Sequence, residues 1–358
     1  NCNEGVTLGA EPTSFYIALP PQTFKDGVTI EILTAGNAKM VKSTSNAITI
    51  SRNTIQPMAT LNCTFEDPIS SSEIWYTSIN NSVVAPYNVE AFGVAIESNT
   101  YENGVGIIKF ANEVTAIGAQ AFYNCANLCS VILPNSVTSI GNEAFYGTSL
   151  SSLEANCIET IGERAFAYCA SLTSAYISDS ITEVGKEAFG WCPQMKSFDS
   201  MYASSDKRCL VIESELKAFA PAGIVEYVIP NSVTSIANGA FSGADSLESV
   251  TIPYGVLSIG ANAFSTCTSL VSFYCKPTTP PAVSSTTFKT SGLTIYVPAS
   301  AVSAYRMGVG WSTYLSQIVG YDFEKGEVVG NNTISKIWYT SSDDKVVKPN
   351  NSKVFGAN

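Results

Sequence analysis

The sequence predicts a repeat solenoid of α+β type, a stack of short strands and short helical turns preceded by a small antiparallel β segment. Two observations carry that expectation. The dipeptide Ala-Phe recurs at Phe122, Phe145, Phe166, Phe189, Phe219, Phe241 and Phe264, and Thr287-Phe288 takes the same phase, with steps of 23, 21, 23, 30, 22, 23 and 24 residues. An apolar-Gly pair also precedes most of these Phe residues, as in Ile117-Gly118, Ile140-Gly141, Ile161-Gly162, Val184-Gly185 and Ile259-Gly260. A unit of about 22 or 23 residues cannot bury its own apolar face, so neighbouring coils must share a core.

Within a unit the sequence reads L-x-x-V-x-(L/I)-P-x-x-V-x-x-I-G-x-x-A-F, as from Leu128 to Phe145. The two-residue spacing at Val131 and Leu133, Val250 and Ile252, or Ile295 and Val297 suits a short strand. The x-x-A-F segment is expected to hold one or two helical turns, with Gly supplying positive φ where the backbone needs it. The 30-residue step implies an insertion, with Asp206–Cys209 as a turn and Leu210–Ile212 and Leu216 in an extra hairpin.

Residues 1–68 differ. Phe15–Leu19, Val28–Leu33 and Ala47–Ile50 are alternating or β-branched runs separated by Pro20-Pro21, Gly27 and Gly36-Asn37, and they read as antiparallel strands. Residues 69–322 form the array. Residues 323–358 read as a linker and the start of a second array, because Ile74–Ser78 recurs as Ile337–Ser341 and Val83-Val84, Pro86, Phe92 and Gly93 recur at the same offset of 263. The sequence is therefore read as part of a longer protein. Its opening, Asn1-Cys2-Asn3-Glu4, lacks the basic region and apolar run of a signal peptide, which fits a processed or trimmed start.

Composition narrows the chemistry. The 358 residues contain no His, so Ser-His-Asp triads, Cys-His dyads and HExxH zinc sites are excluded. A net charge of −11 offers no field for phosphate backbones or anionic lipid, and neither nucleic acid nor a membrane surface is an expected partner. The longest uncharged run, residues 249–275, carries Pro253, Gly255 and Gly260 and is not a transmembrane segment.

Cys125, Cys169, Cys192 and Cys267 each follow a repeat Phe by three residues, where other units place Thr148 or Ala244. A metal or redox ladder is one reading. A buried thiol column is preferred, since free Cys is among the most buried residue types and no CxxC accompanies it. Cys2 and Cys63 flank the N-terminal segment, and a disulfide between them is one open alternative. Neither metal nor cofactor is expected.

Strand parity gives the candidate binding residues. With Val131 and Leu133 inward, one outward column holds Ser130, Ser152, Ser174, Ser197, Ser249, Ser272 and Thr294. The adjacent column holds Ile132, Glu154, Tyr176, Asp199, Thr251, Tyr274 and Tyr296. Tyr176, Tyr274 and Tyr296, with Glu154 and Asp199, are the candidate ligand contacts, because Tyr gives large contact area at little entropic cost. Glu154, Asp199, Glu213 and Glu215 are also the carboxylates a glycosidase would require, but a solenoid surface offers no deep cleft to raise the pKa of a general acid. No catalytic residue is assigned.

The strings from Leu133 to Phe145 and from Ile229 to Ile236 closely resemble the BspA-type leucine-rich repeats of Bacteroidetes surface proteins. Lys276–Ala282, Ile295–Pro298, Ala304-Tyr305, Gly310-Trp311 and Ile318–Gly320 are similar to that family's last repeat, and residues 1–68 resemble, more weakly, the end of a fimbrillin-like domain. The resemblance implies a right-handed leucine-rich-repeat stack in a monomeric, non-enzymatic protein at the cell surface or secreted, anchored at the outer membrane of a Gram-negative bacterium. It implies adhesion through the array to host extracellular matrix proteins, other cell-surface proteins or glycans. A carboxylate-dependent glycan-processing enzyme and a structural spacer displaying another domain are the alternatives.

Overall fold

The computed structural model describes residues 69–329 apart from Thr290, together with four backbone strand segments within residues 1–68. The chain divides into two compact units, residues 1–68 and 69–358. In the first unit Thr29–Leu33 pairs antiparallel with Lys39–Ser43, and Thr23–Phe24 with Ile48–Thr49. The expected Phe15–Leu19 strand, the fimbrillin-like resemblance, the Cys2 and Cys63 pairing and the repeated segment 337–356 lie outside the described residues.

The second unit is a β-solenoid of about nine turns with few helices. Each regular coil contributes to three ladders. One is built from the alternating strands: Ser152–Ala155, Ser174–Ile177 and Ser197–Asp199 pair in parallel, as do Glu226–Val228, Ser249–Ile252, Ser272–Cys275, Thr294–Pro298 and Ile318–Asp322. The second joins the two-residue strands ahead of each glycine, Ala116-Ile117, Ser139-Ile140, Thr160-Ile161 and Glu183-Val184. The third runs through the Ala-Phe turns, where Phe122, Phe145 and Phe166 donate their N–H groups to Ala144, Ala165 and Ala188 of the next coil at 2.7–2.8 Å.

That third ladder replaces the expected helical turns. The residue before each Ala is left-handed, with φ of 59° at Gln120, 55° at Glu143, 53° at Arg164, 54° at Glu187 and 58° at Asn262. A second left-handed residue follows two positions after the Phe, at Asn124, Gly147, Tyr168, Trp191 and Gly243. Two such residues per turn break any helical run and point the backbone N–H and C=O groups along the stack, toward the neighbouring coils. Among the described residues an α-helix is found only at Val302–Met307, in the closing stretch.

The glycines of the apolar-Gly pairs do not have positive φ, contrary to the expectation. They are needed for close approach. A Cβ on Gly141 would lie 2.6 Å from the backbone N of Ala119, and one on Gly162 would lie 2.5 Å from the N of Asn142. Here each coil turns a corner directly on the backbone below, and the Gly141 and Gly162 N–H groups donate to Ile117 and Ile140 at 2.7 Å.

Inside, the repeat Phe residues stack. Phe122, Phe145, Phe166 and Phe189 have centroids 5.3 Å apart and planes within 12°. Phe92, from an Ala-Phe pair that the spacing did not include, starts the column against Phe122 at 5.6 Å. The stack breaks after Phe189, where the predicted hairpin is found as Cys209–Ile212 paired antiparallel with Glu215–Phe219. Glu215 and Leu216 take the place of a two-residue strand beside Ser235-Ile236, so Ala218-Phe219 continues a strand instead of forming a turn. Phe219 still meets Phe241 at 4.6 Å, and a second column runs on through Phe264 to Phe288.

The ends are covered differently. At the start, Glu73–Ser78 lies between Val105–Phe110 and Leu128–Ile132, antiparallel to both. In this covered coil the inward–outward contrast is lost: Val131 and Leu133, expected inward, are only half-buried, as are Ser130 and Ile132. At the close, Tyr305, Trp311 and Tyr314 are buried and donate to the carbonyls of Pro277, Pro281 and Ser284 at 2.7–3.0 Å.

The thiol column is buried at Cys169, Cys192 and Cys267, but Cys125 is only half-buried. The three buried thiols donate to the Phe carbonyls of the preceding coil, Phe145, Phe166 and Phe241, at 3.1–3.4 Å. Burial pushes the Cys169 thiol up to about 11 and the Cys267 thiol to about 12.

Two outcomes test this packing. Phe166→Ala should lower stability by about 3–5 kcal/mol, and Gly162→Ala by about 1–3 kcal/mol, while Gly255→Ala, whose Cβ would have nothing within 4 Å, should be neutral; urea unfolding ranks the three. Alkylation without denaturant, followed by peptide mapping, should modify Cys125 and spare Cys169, Cys192 and Cys267.

Candidate binding face

Strand parity holds where the array is regular. Leu153, Ala175, Phe198, Val250, Phe273 and Ile295 are buried, and their neighbours point out. The five candidate residues fall into two groups on separate sheets. Glu154, Tyr176 and Asp199 are in direct register on three neighbouring strands. Tyr274 and Tyr296 are in register on another sheet, in the row Val228, Thr251, Tyr274, Tyr296, Val319.

In the first group Tyr176 stands between the two carboxylates. Asp199 pairs with Lys207 of the insertion at 2.9 Å, both side chains being well exposed. Such a pair contributes about 0–1 kcal/mol. Glu154 stands on the open face, yet desolvation between neighbouring coils raises its carboxyl above the ordinary value. Desolvation, then Asp179 and Asp199, likewise raise the Tyr176 phenol.

Two strand spacings, about 10 Å, separate Glu154 from Asp199. That is near the upper end for an inverting glycosidase pair, but the Tyr176 ring occupies the gap a glycosidic bond would need. Glu215, from the insertion, pairs with Lys217 and lines a depression beside Ile236–Asn238 and Ser258–Gly260 with no second carboxylate.

The second group is aromatic. Tyr274 and Tyr296 stack at 4.7 Å and 14°, and Tyr321 meets both edge-on at 5.3 Å. Phe323 packs on Tyr321 at 5.0 Å. Beside this cluster lies the row Glu226, Ser249, Ser272, Thr294, so the aromatics rise from a floor of small hydroxyl residues. Tyr321 and Phe323 were not singled out from the sequence, although Tyr321 has the outward parity of Val319.

A further aromatic row, half-buried to exposed, runs from Tyr87 along the Ala-Phe turns. Tyr87, Tyr123, Tyr146, Tyr168 and Trp191 follow one another at centroid distances of 5.4, 4.9, 5.0 and 4.7 Å. Its signal was the aromatic one or two positions after the repeat Phe, in Phe122-Tyr123, Phe145-Tyr146, Phe166-Ala-Tyr168 and Phe189-Gly-Trp191.

These stacked parallel ladders, closed by a cap at each end and carrying aromatics on outward faces, define a leucine-rich-repeat solenoid. The chain belongs to the BspA-type leucine-rich repeat family, whose sequence profile matches residues 94–205 and 213–306 in six copies. The interruption falls at the inserted hairpin.

Among solved structures, the chain is similar to a leucine-rich repeat protein of Bacteroides ovatus, at 25% identity over 52% of this chain and 53% of that one, with a TM-score of 0.37. It is also similar to a leucine-rich cell surface protein of Faecalibacterium prausnitzii, at 20% identity over 59% and 78% of the two chains, with a TM-score of 0.33. A leucine-rich repeat protein of Eubacterium ventriosum shares 19% identity over 53% and 66%, with a TM-score of 0.34. The match spans about half the length of the B. ovatus protein. No curated protein matches the chain.

The raised Glu154 carboxyl has a direct consequence. A carboxyl whose folded value lies above its unfolded value binds protons more tightly when folded, so its ionisation lowers stability as pH rises above the ordinary Glu range. Glu154→Gln should therefore melt slightly higher than the parent at about pH 7 and coincide with it at about pH 3; paired thermal scans check both.

Proposed function

We propose that this chain is a non-catalytic binding protein that holds a macromolecular ligand against the outward strand face of its array. The ligand class is an extracellular matrix protein, another cell-surface protein or a glycan. One observation carries the reading: Tyr274, Tyr296, Tyr321 and Phe323 form an outward aromatic cluster beside an open hydroxyl row. Interior packing does not require four rings on that face, and aromatic side chains dominate interface energetics. A spacer would not need such a patch, and the two carboxylates flanking Tyr176 are not arranged for glycoside hydrolysis.

The proposed location is the cell surface or the extracellular space, with outer-membrane anchoring as the specific form. The family and the name of the F. prausnitzii protein support it. Among the described residues no helix is long and apolar enough to cross a membrane. Glu154, Tyr176 and Asp199 are proposed as a secondary contact on the same side of the repeat.

The test is a screen of the chain against immobilised matrix proteins and glycans, repeated with Tyr274→Ala/Tyr296→Ala. The double change should weaken any authentic interaction roughly tenfold or more, with the circular-dichroism spectrum unchanged. Parent-like affinity in a folded double variant would exclude the strand face.

A further inference from the structure

The row from Tyr87 to Trp191 is not equivalent along its length. Tyr123 and Tyr146 lie within 17° of parallel, and Tyr168 and Trp191 within 8°, so these rings cover one another's faces and present edges to solvent. Trp191 is closed on its far side as well. A Cβ on Gly243 would lie 2.5 Å from the Trp191 Cα and 3.2 Å from its Cδ1; from the preceding coil, the Arg164 guanidinium sits 6.0 Å from the Trp191 ring centre while bridging to Glu187.

The other end is open. Tyr87 is tilted 52° from Tyr123 and is 64% exposed, which leaves most of its ring uncovered. Its position is nonetheless fixed, because the Tyr87 N–H donates to Ala121 at 2.8 Å and Val84 beside it is buried in the core.

Tyr87 and Tyr123 flank a shallow depression of about 400 Å3, together with the strap Val83–Ala85 and the segment Asn124–Asn127, in which the Cys125 thiol donates to the Ala85 carbonyl at 3.4 Å. No charged side chain lines it. Two tilted aromatic rings and the Asn127 amide on an open rim make the depression amphipathic. A hexopyranose has the matching chemistry: its axial C–H face meets the electron-rich face of an aromatic ring, and its equatorial hydroxyls meet amide donors and acceptors. A peptide would seek a free strand edge or a deep apolar pocket, and an anionic ligand would seek cations that this rim lacks.

We propose that the depression between Tyr87 and Tyr123 binds one neutral hexopyranose unit of a glycan, stacked on the Tyr87 ring and hydrogen-bonded by Asn127. The site lies on the turn edge of the array and shares no residue with the Tyr274 cluster, so it stands or falls independently of the strand-face reading.

The experiment is saturation-transfer difference NMR on the full chain, with the methyl glycosides of glucose, galactose, mannose and N-acetylglucosamine as separate probes. At least one should receive saturation at its ring C–H protons. Tyr87→Ala should weaken that probe roughly tenfold, the equivalent of about 1.4 kcal/mol, while Tyr87→Phe and Tyr274→Ala/Tyr296→Ala bind as the parent does. Asn127→Ala, which leaves the aromatic pair intact, should weaken it as well and carries the test if Tyr87→Ala does not fold. Absence of transfer to all four probes overturns the proposal. So does parent-like binding by folded Tyr87→Ala, or loss confined to the strand-face variant.

Discussion

The close stacking of most coils rests on a corner contact that glycine permits, with Ala237 as the variant in the coil that follows the insertion. At Gly141, Gly162, Gly185 and Gly260 the chain turns directly over the backbone of the coil below, leaving 2.5–2.6 Å where a Cβ would stand. With the corner fixed at that distance, the Ile strands beside it hydrogen-bond in parallel and the Ala-Phe turns fall into register. The Phe rings then lie 5.3 Å apart with nearly parallel planes, farther apart than the roughly 4.8 Å between strands, which is the offset arrangement that aromatic pairs favour. Asn142 and Asn238 reinforce the same corner, their side chains accepting from the Glu163 and Ala261 N–H groups of the next coil.

The insertion replaces one such corner with a hairpin, whereas the next coil, with Ala237 at the corner, turns normally and its Phe241 N–H donates to Ala263. In the insertion the corner's place is taken by Glu215 and Leu216, with no glycine following, and the chain continues as a strand through Ala218-Phe219. The Phe column breaks between Phe189 and Phe219, and Trp191 instead donates its N–H to Ser242, beyond the insertion. The array therefore carries two aromatic columns and two outward sheets, and the expected row of contacts from Glu154 to Tyr296 is divided between them.

What was legible in the sequence follows from which interactions repeat. The strand face could be read because β alternation has a fixed period of two, so Val250 and Ile252 assign Thr251, and Phe273 assigns Tyr274, without further information. The turn could not be read in the same way. Some of its left-handed positions hold Asn or Gly, as at Asn124, Gly147, Gly243 and Asn262, but Glu143, Arg164 and Glu187, which have no turn preference, adopt φ near 54° at equivalent sites because inter-coil hydrogen bonds hold them there, so no single residue type marks the turn. The aromatic row along the turns escaped notice because its spacing to the Phe shifts from one residue to two between Tyr146 and Tyr168, and only the three-dimensional stack restores the register. Tyr87 has no repeat position at all, since its segment belongs to the cap.

The backbone bonds that join successive coils run along the axis of the stack, and this gives the array a mechanical character. Tension applied between its two ends loads those bonds end-on, a few at a time, instead of shearing many at once. Each coil that peels away releases about 22 residues, and therefore about 75 Å of extended chain, while its neighbours keep their own ladders and Phe contacts. Force spectroscopy would register such an array as a sawtooth of that period. A ligand held on the remaining coils would stay bound while the tether lengthens.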